Sequence, residues 1–194
     1  MSDIETHPLE PFLPENSKLL MMGSFPPPET RWKMCFYYPN YQNDMWRIFG
    51  LIFFHNKDYF LDLANKNFQE MLIREFLLEK GIAIFDTAYQ IRRLKGNASD
   101  KFLEIVTPTD LNKLLVQMPL CHSIMTTGDK ATETLMLSMP EDTEKPAIGQ
   151  PSKAHFAGRE LKLYRMPSSS RAYPLALEKK AEAYRELFRD AGLI

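Results

Sequence analysis

Three groups of residues in this 194-residue chain have types that could do chemistry. The first is Met166-Pro167-Ser168-Ser169-Ser170. Hydroxyls and backbone N–H groups gathered in a tight turn can bind phosphate oxygens without large positive charge. Serine clusters are also common at turns, so a serine-rich turn capping the next helix is the plainer reading. The second group is aromatic: Phe36, Tyr37, Tyr38, Tyr41 and Trp46 lie close together after Pro26-Pro27-Pro28. Flat rings in an irregular loop can stack on an unstacked base, each by about 1–3 kcal/mol. Trp46, on an expected helix, reads better as core. The third is Asn43, which either caps the helix it precedes or presents an amide that orients a water and donates to a ligand. A smaller basic-polar stretch, Arg92-Arg93 and Lys95 followed by Asn97 and Asp100, reads as solvated surface or as phosphate contact.

Other chemistries find little support. His7, His55, His122 and His155 are isolated in sequence, with no metal-ligand spacing. Neither G-x-S-x-G nor a phosphate-binding glycine loop occurs. Cys35 has no histidine placed by sequence to activate it. With Cys121 as the other cysteine, a disulfide framework and a four-cysteine metal or cluster site are both excluded. No cofactor and no metal are expected. A formal net charge of -1 argues against a non-specific nucleic-acid coater, though not against a grip through one local patch. The N-terminus is polar, and the longest apolar run, Leu51-Ile52-Phe53-Phe54, is far too short to span a bilayer. The expectation is a cytoplasmic protein with no membrane association and no obligate protein partner.

These residues need elements to position them. Three short apolar runs read as buried strands, 18–22, 82–85 and 123–125, and 161–165, which alternates apolar with basic residues, reads as a fourth strand. Helices are expected over 45–54, 67–80, from Thr107-Pro108 to about 117, over 130–139, and from Pro174 to about 190. Gly81 supplies a helix stop. Residues 24–43 form a long loop, and 141–158 a polar surface excursion. Strands alternating with helices imply a three-layer α/β/α fold around a central, mostly parallel four-stranded sheet. The length fits one domain, 1–194, with residues 1–13 as an N-terminal arm. In such sheets ligands bind beyond the carboxyl ends of the strands. Those ends carry Gly23 to Pro27, Asp86, Thr126 to Gly128, and Pro167 to Ser170.

Taken together, the segments resemble the uracil-DNA glycosylase superfamily. The likeness runs through Gly23-Ser24-Phe25-Pro26, Tyr37-Tyr38, Asn43-Asp44-Met45-Trp46, Gly81-Ile82-Ala83-Ile84-Phe85-Asp86 and Met166-Pro167-Ser168-Ser169-Ser170, in that order, and spans about 14–188. Met-Pro-Ser-Ser-Ser is similar to the second motif of mismatch-specific uracil/thymine glycosylases. Those enzymes carry a catalytic asparagine where Phe25 stands, and phenylalanine cannot position water. Gly-Ser-Phe-Pro instead looks like the hypoxanthine-DNA glycosylase branch, whose catalytic asparagine lies in a later His-Pro-Arg-Asn segment preceding Phe-Trp. Asn43 matches that asparagine with Trp46 in register, while Asn40, Tyr41, Gln42 and Met45 replace the branch's usual neighbours.

The resemblance implies a uracil-DNA glycosylase-like fold and a monofunctional DNA glycosylase acting in base-excision repair. It would hydrolyse the N-glycosidic bond of a deaminated base, hypoxanthine first, after base flipping. Its partner would be DNA containing a damaged or deaminated base. Asn43 would be catalytic. Gly23, Ser24, Phe25, Tyr37, Tyr38 and Asp86 would form the base pocket. Ser168, Ser169 and Ser170 would hold the DNA backbone, and Arg171 or Tyr173 would wedge into the vacated stack. The alternatives are a uracil or G:T/G:U mismatch glycosylase, and a non-catalytic nucleic-acid-binding homologue on the same fold.

Overall fold

A computed structural model describes residues 3–95 and 99–194. Asn97, expected in the basic-polar loop, lies outside the described residues. The elements run β1 (Glu5–Thr6), β2 (Leu19–Gly23), α1 (Met45–Phe54), β3 (Leu61–Asp62), β4 (Asn67–Phe68), α2 (Glu70–Lys80), β5 (Ile82–Asp86), β6 (Ala88–Arg93), β7 (Leu103–Pro108), α3 (Leu111–Leu115), β8 (Ser123–Thr127), α4 (Asp129–Met136), β9 (Ser152–Phe156), β10 (Arg159–Met166) and α5 (Leu177–Asp190).

The central sheet has the order β5-β2-β8-β10-β9. Its first four strands are parallel and are the four expected from sequence. Strands β2, β5 and β8 are buried at every residue, which requires layers on both faces. The result is the three-layer α/β/α arrangement. One layer is aromatic: Phe49 of α1 meets Phe76 of α2 and Phe188 of α5, with ring centroids 6.0 and 5.1 Å apart. Helix α5 buries Lys180, Ala181, Tyr184, Leu187 and Phe188, a stripe at helical spacing. Gly81 stops α2 as expected. Its φ is +72°, and a Cβ there would meet the Asn16 carbonyl at 2.6 Å.

Several expectations need correction. The sheet has a fifth strand: β9, inside the supposed surface excursion, pairs antiparallel with β10 at the edge. A second sheet, β1-β6-β7, is antiparallel and was not foreseen. It absorbs Arg92 and Arg93, read as loop, and Thr107-Pro108, read as a helix start. The helix begins later, with Asp110 as N-cap accepting the Lys113 N–H. Asn67-Phe68 is a short strand, so α2 starts at Glu70. The final helix starts at Leu177 rather than at Pro174. The segment expected as an arm is tied into the fold: β1 pairs with β6, and Phe12 bridges to Ile84.

Candidate functional site

Parallel strands put their carboxyl ends on one edge, and register fixes which residues meet there. Gly23 lies opposite Asp86, Met22 opposite Thr126, and Met166 opposite Thr127. A cavity of about 650 Å³ opens over this edge, within the size range of small-ligand sites. Every residue assigned a site role from sequence lines it: Asn43, Gly23, Ser24, Phe25, Tyr37, Tyr38, Asp86, Ser168, Ser169, Ser170, Arg171 and Tyr173.

One wall is built on β5 and the second sheet. Thr87 N–H and Oγ1–H both donate to the Gly23 carbonyl, at 2.9 and 3.1 Å, locking the two strand ends together. Asp86 Oδ2 is hydrogen-bonded to His7 Nε2 at 2.7 Å, with both side chains buried. His7 arrives from β1, where its N–H donates to the Tyr89 carbonyl. Its ring packs among Phe25, Phe85 and Tyr37. Asp100 also lines the cavity. Burial raises its carboxyl above the usual range; a hydrogen bond from Ser24 pulls it down, the Asp86 charge pushes it further up, and Arg93 and Lys130 offset part of this. Burial likewise pushes both phenols up, at Tyr37 and at Tyr38, with Asp86 adding to each.

The other wall joins the start of α1 to the serine loop. Asp44 N–H donates to the Ser169 carbonyl at 2.8 Å, and Arg171 N–H to the Gln42 carbonyl at 3.3 Å, so the two segments pair like short strands. The Asp44 carboxylate faces three cations: Arg171 at 3.1 Å, Lys180 at 3.3 Å and Arg47 at 3.8 Å. Lys180, buried, also donates to the Ser170 carbonyl at 2.8 Å. Burial lowers the Arg47 pKa, as does Arg171, while Asp44 restores part of it. A second cavity, about 510 Å³, is lined by these charges and by Lys57. It shares Arg171 with the first.

The helix N-cap is Asp44, whose side chain makes no capping bond. Asn43 does the local work instead: its Oδ1 accepts the Met45 N–H at 2.9 Å. That oxygen keeps a second lone pair, and Asn43 is half-buried at the cavity. Ser168 Oγ accepts the Ser170 N–H, and Ser170 Oγ accepts the Ala172 N–H, each at 3.2 Å. The serines therefore form a turn, but they do not cap the next helix, whose N-cap is Ala176 with no side-chain bond; the Ser168 and Ser170 hydroxyls still have their own protons to donate. Ser169 is buried. Arg171 is held by Asp44 and by Gln42 Oε1, whereas Tyr173 is exposed. Trp46 is core, as expected, and so are Phe36 and Tyr37, which the proline-bounded loop had suggested were free for a ligand. Arg92 pairs with Glu104, and Arg93 with Glu5, so the basic stretch is largely spent within its sheet.

Sequence reading missed His7 and Lys101 as site residues, put Thr127 at the strand-end edge without a role, and gave Asp100 no part in the pocket. Thr127 and Asp100 were reachable, since one ends a strand and the other follows the Asp86 strand. For His7 no local signal exists. Among the described residues, no three His, Cys, Asp or Glu side chains gather to hold a metal ion. Nor is any described helix long and apolar enough to cross a membrane.

No protein-family model matches this chain. No curated protein matches it either. Among solved structures, it is similar to the solution NMR structure of a provisionally named uracil DNA glycosylase from Methanosarcina acetivorans. The identity is 22% and the TM-score 0.65, over 98% of this chain and 99% of that one. At that identity the likeness establishes one thing, the fold, which the two chains share from end to end.

Proposed function

We propose that this protein is a DNA N-glycosylase that releases a deaminated base, hypoxanthine first, after flipping it out of the helix. The observation that carries the reading is convergence. Five sequence segments, spread from Gly23 to Ser170, line one cavity at the carboxyl edge of a parallel sheet. A solved structure with the same fold, over nearly its whole length, is provisionally named a uracil DNA glycosylase.

The parts suit the task. Extruding a base costs about a few kcal/mol, least where pairing is already poor. Phe25 and Tyr38 offer ring surfaces at the cavity. Exposed Arg31, Lys101 and Arg171 line it too, giving local positive charge for phosphates on a chain of net charge -1. Ser168 and Ser170 add hydroxyl donors for the backbone flanking the flipped nucleotide. Asn43 orients the attacking water through the free lone pair of Oδ1. Water oxygen bonds to C1′ of the sugar as the C1′–N bond breaks, its electron pair leaves with the base, and the water proton ends on the released base. The exposed Tyr173 is the better placed of the two wedge candidates to fill the gap in the stack.

The test is a panel of duplexes carrying hypoxanthine, uracil, thymine opposite guanine, or xanthine, scored for abasic sites. Release from the hypoxanthine duplex is expected, and Asn43→Ala should slow it by about 100-fold or more, as for loss of one positioned transition-state contact. Stronger release of uracil or mispaired thymine would reassign the base. A second reading, a binding-only homologue, draws on Phe25 in place of an asparagine and on the bond Asn43 Oδ1 already makes. It predicts DNA binding with no abasic product from any duplex.

A further inference from the structure

Deamination rewrites one edge of a base. In adenine and cytosine the edge is an amidine: an exocyclic NH₂ beside a ring nitrogen that only accepts. In hypoxanthine and uracil it is a lactam: a carbonyl oxygen beside a ring N–H that only donates. A pocket that separates damaged from normal bases needs an acceptor that cannot turn into a donor, aimed at that ring position.

The floor of the cavity has one. A Cβ built on Gly23 would lie 2.7 Å from Asp86 Oδ1, 3.5 Å from the Tyr38 hydroxyl and 3.7 Å from Thr127 Oγ1. Three oxygens from three different segments thus converge over the one residue that leaves room between them. Tyr38 holds its place at φ +52°, in the left-handed region that bulky residues avoid. The two hydroxyls can donate or accept. The carboxylate can only accept, and His7 fixes which of its oxygens does so. His7 Nε2 takes Oδ2, while His7 Nδ1 is itself held within 3.0 Å of the Leu9 carbonyl and 3.2 Å of the Leu9 N–H. Oδ1 is left to the cup.

We infer that Asp86 is the specificity-determining residue, accepting the ring N–H that deamination creates, and that His7 is its positioning residue. Tyr38 or Thr127 donates to the adjacent carbonyl oxygen of the base. An amidine edge in the same place sets a ring lone pair against a carboxylate oxygen, leaving two buried acceptors unpaired. Sites built to bond such a group reject analogues lacking it far more strongly than apolar pockets reject a missing methylene. The inference rests on the glycosylase reading for the presence of a base, and the test below separates the two.

The experiment titrates the full chain with free hypoxanthine, adenine, uracil and cytosine, following the Gly23 and Thr127 amide resonances by NMR. Wild type should bind hypoxanthine over adenine, and uracil over cytosine, by about 10-fold or more. Asp86→Asn, whose amide can present a donor, should bring both ratios close to one. His7→Phe should do the same, and His7→Gln, which still offers an N–H toward Asp86, should recover part of the ratio. A purely structural role for His7 would lower the melting temperature in both His7 variants without moving the ratios. Equal wild-type binding of lactam and amidine bases, no binding of any base, or ratios unchanged in Asp86→Asn would each overturn the inference. The same proteins go through the duplex panel. Retained ratios with no abasic product would sink the enzyme reading alone; abasic product with unmoved ratios would sink this inference alone.

Discussion

The two walls of the cavity hold a carboxylate by opposite means. Asp86 is held by His7, reached across 79 residues of sequence, whose ring packs on Phe25 and Phe85. Asp44 sits in a crowd of cations, Arg47, Arg171 and Lys180, with more positive charge than it can balance. The first arrangement leaves Oδ1 beside Gly23, and both residues line the cavity. The second consumes its carboxylate to splice the serine loop to the start of α1. A polar group meant to read a ligand is held lightly from behind, and one meant to hold a loop is surrounded.

That contrast can be broken most forcefully at Asp44. Asp44→Asn leaves the buried Lys180 and Arg47 facing each other without their counter-charge, and removing one partner of a buried ion pair costs about 3–5 kcal/mol. Urea denaturation should show a loss of that size. His7→Phe, which strips one hydrogen bond from Asp86, should cost about 1–3 kcal/mol in the same assay. Equal losses would erase the difference between the walls.

Gly23→Ala comes next. Its methyl would press on Asp86 Oδ1 at 2.7 Å, so the carboxylate or the strand end has to give. Overpacking of this kind costs about 1–3 kcal/mol. Binding of free bases should be lost while the circular dichroism spectrum stays native. Unchanged base binding would show that the space over Gly23 is not where the ligand sits.

Asp100 sharpens the first wall through pH. Its carboxyl is raised chiefly by burial, so the folded state favours the protonated form. A raised folded value contributes stability that is full below the unfolded value, near 3.9 for a free Asp at about 25 °C, and is lost as pH rises through the folded value. At pH 7 the wild type therefore carries a penalty that Asp100→Asn does not. Measured in urea, the variant's stability relative to wild type should rise between pH 3.5 and pH 7; a flat difference would refute the burial account.

The smallest effect is a control. Neither cysteine lines the cavity. Burial pushes the Cys121 thiol up to about 11, whereas Cys35 is exposed. At pH 8 a disulfide reagent should modify one thiol per chain quickly and the second only after unfolding. Modified protein should keep its base ratios.

How much of this was written locally in the sequence follows from the range of each contact. Leu19 to Met22 and Ile82 to Phe85 are unbroken apolar runs bounded by turn residues, as a strand covered on both faces requires. The parallel edge, and with it most of the pocket, follows from those runs and the rule for where α/β sheets bind. β9 hid because an edge strand buries one side only: Ser152 and Ala154 are buried while Lys153 and His155 face water. Thr107-Pro108 mimicked a helix start, since proline suits both a first helical turn and the last residue of a strand. Phe36 and Tyr37 were misjudged because a loop can carry core as well as a helix can. His7 was beyond reach of any local pattern, because it gains its meaning only once β1 lies on β6.

That last contact has a thermal consequence. β1 is two residues long, and beyond its pairing with β6 the bonds beside it among the described residues include the His7 N–H bond to Tyr89, the Gln90 bond to Thr6 and the Arg93 pair with Glu5. Short edge segments peel away at a fraction of the free energy of global unfolding. When β1 lifts, His7 leaves Asp86 while the five-stranded sheet and its aromatic layer stay whole. Selectivity should therefore fade on warming some degrees before the protein melts, and amide exchange at His7 should run far ahead of exchange at Ile84.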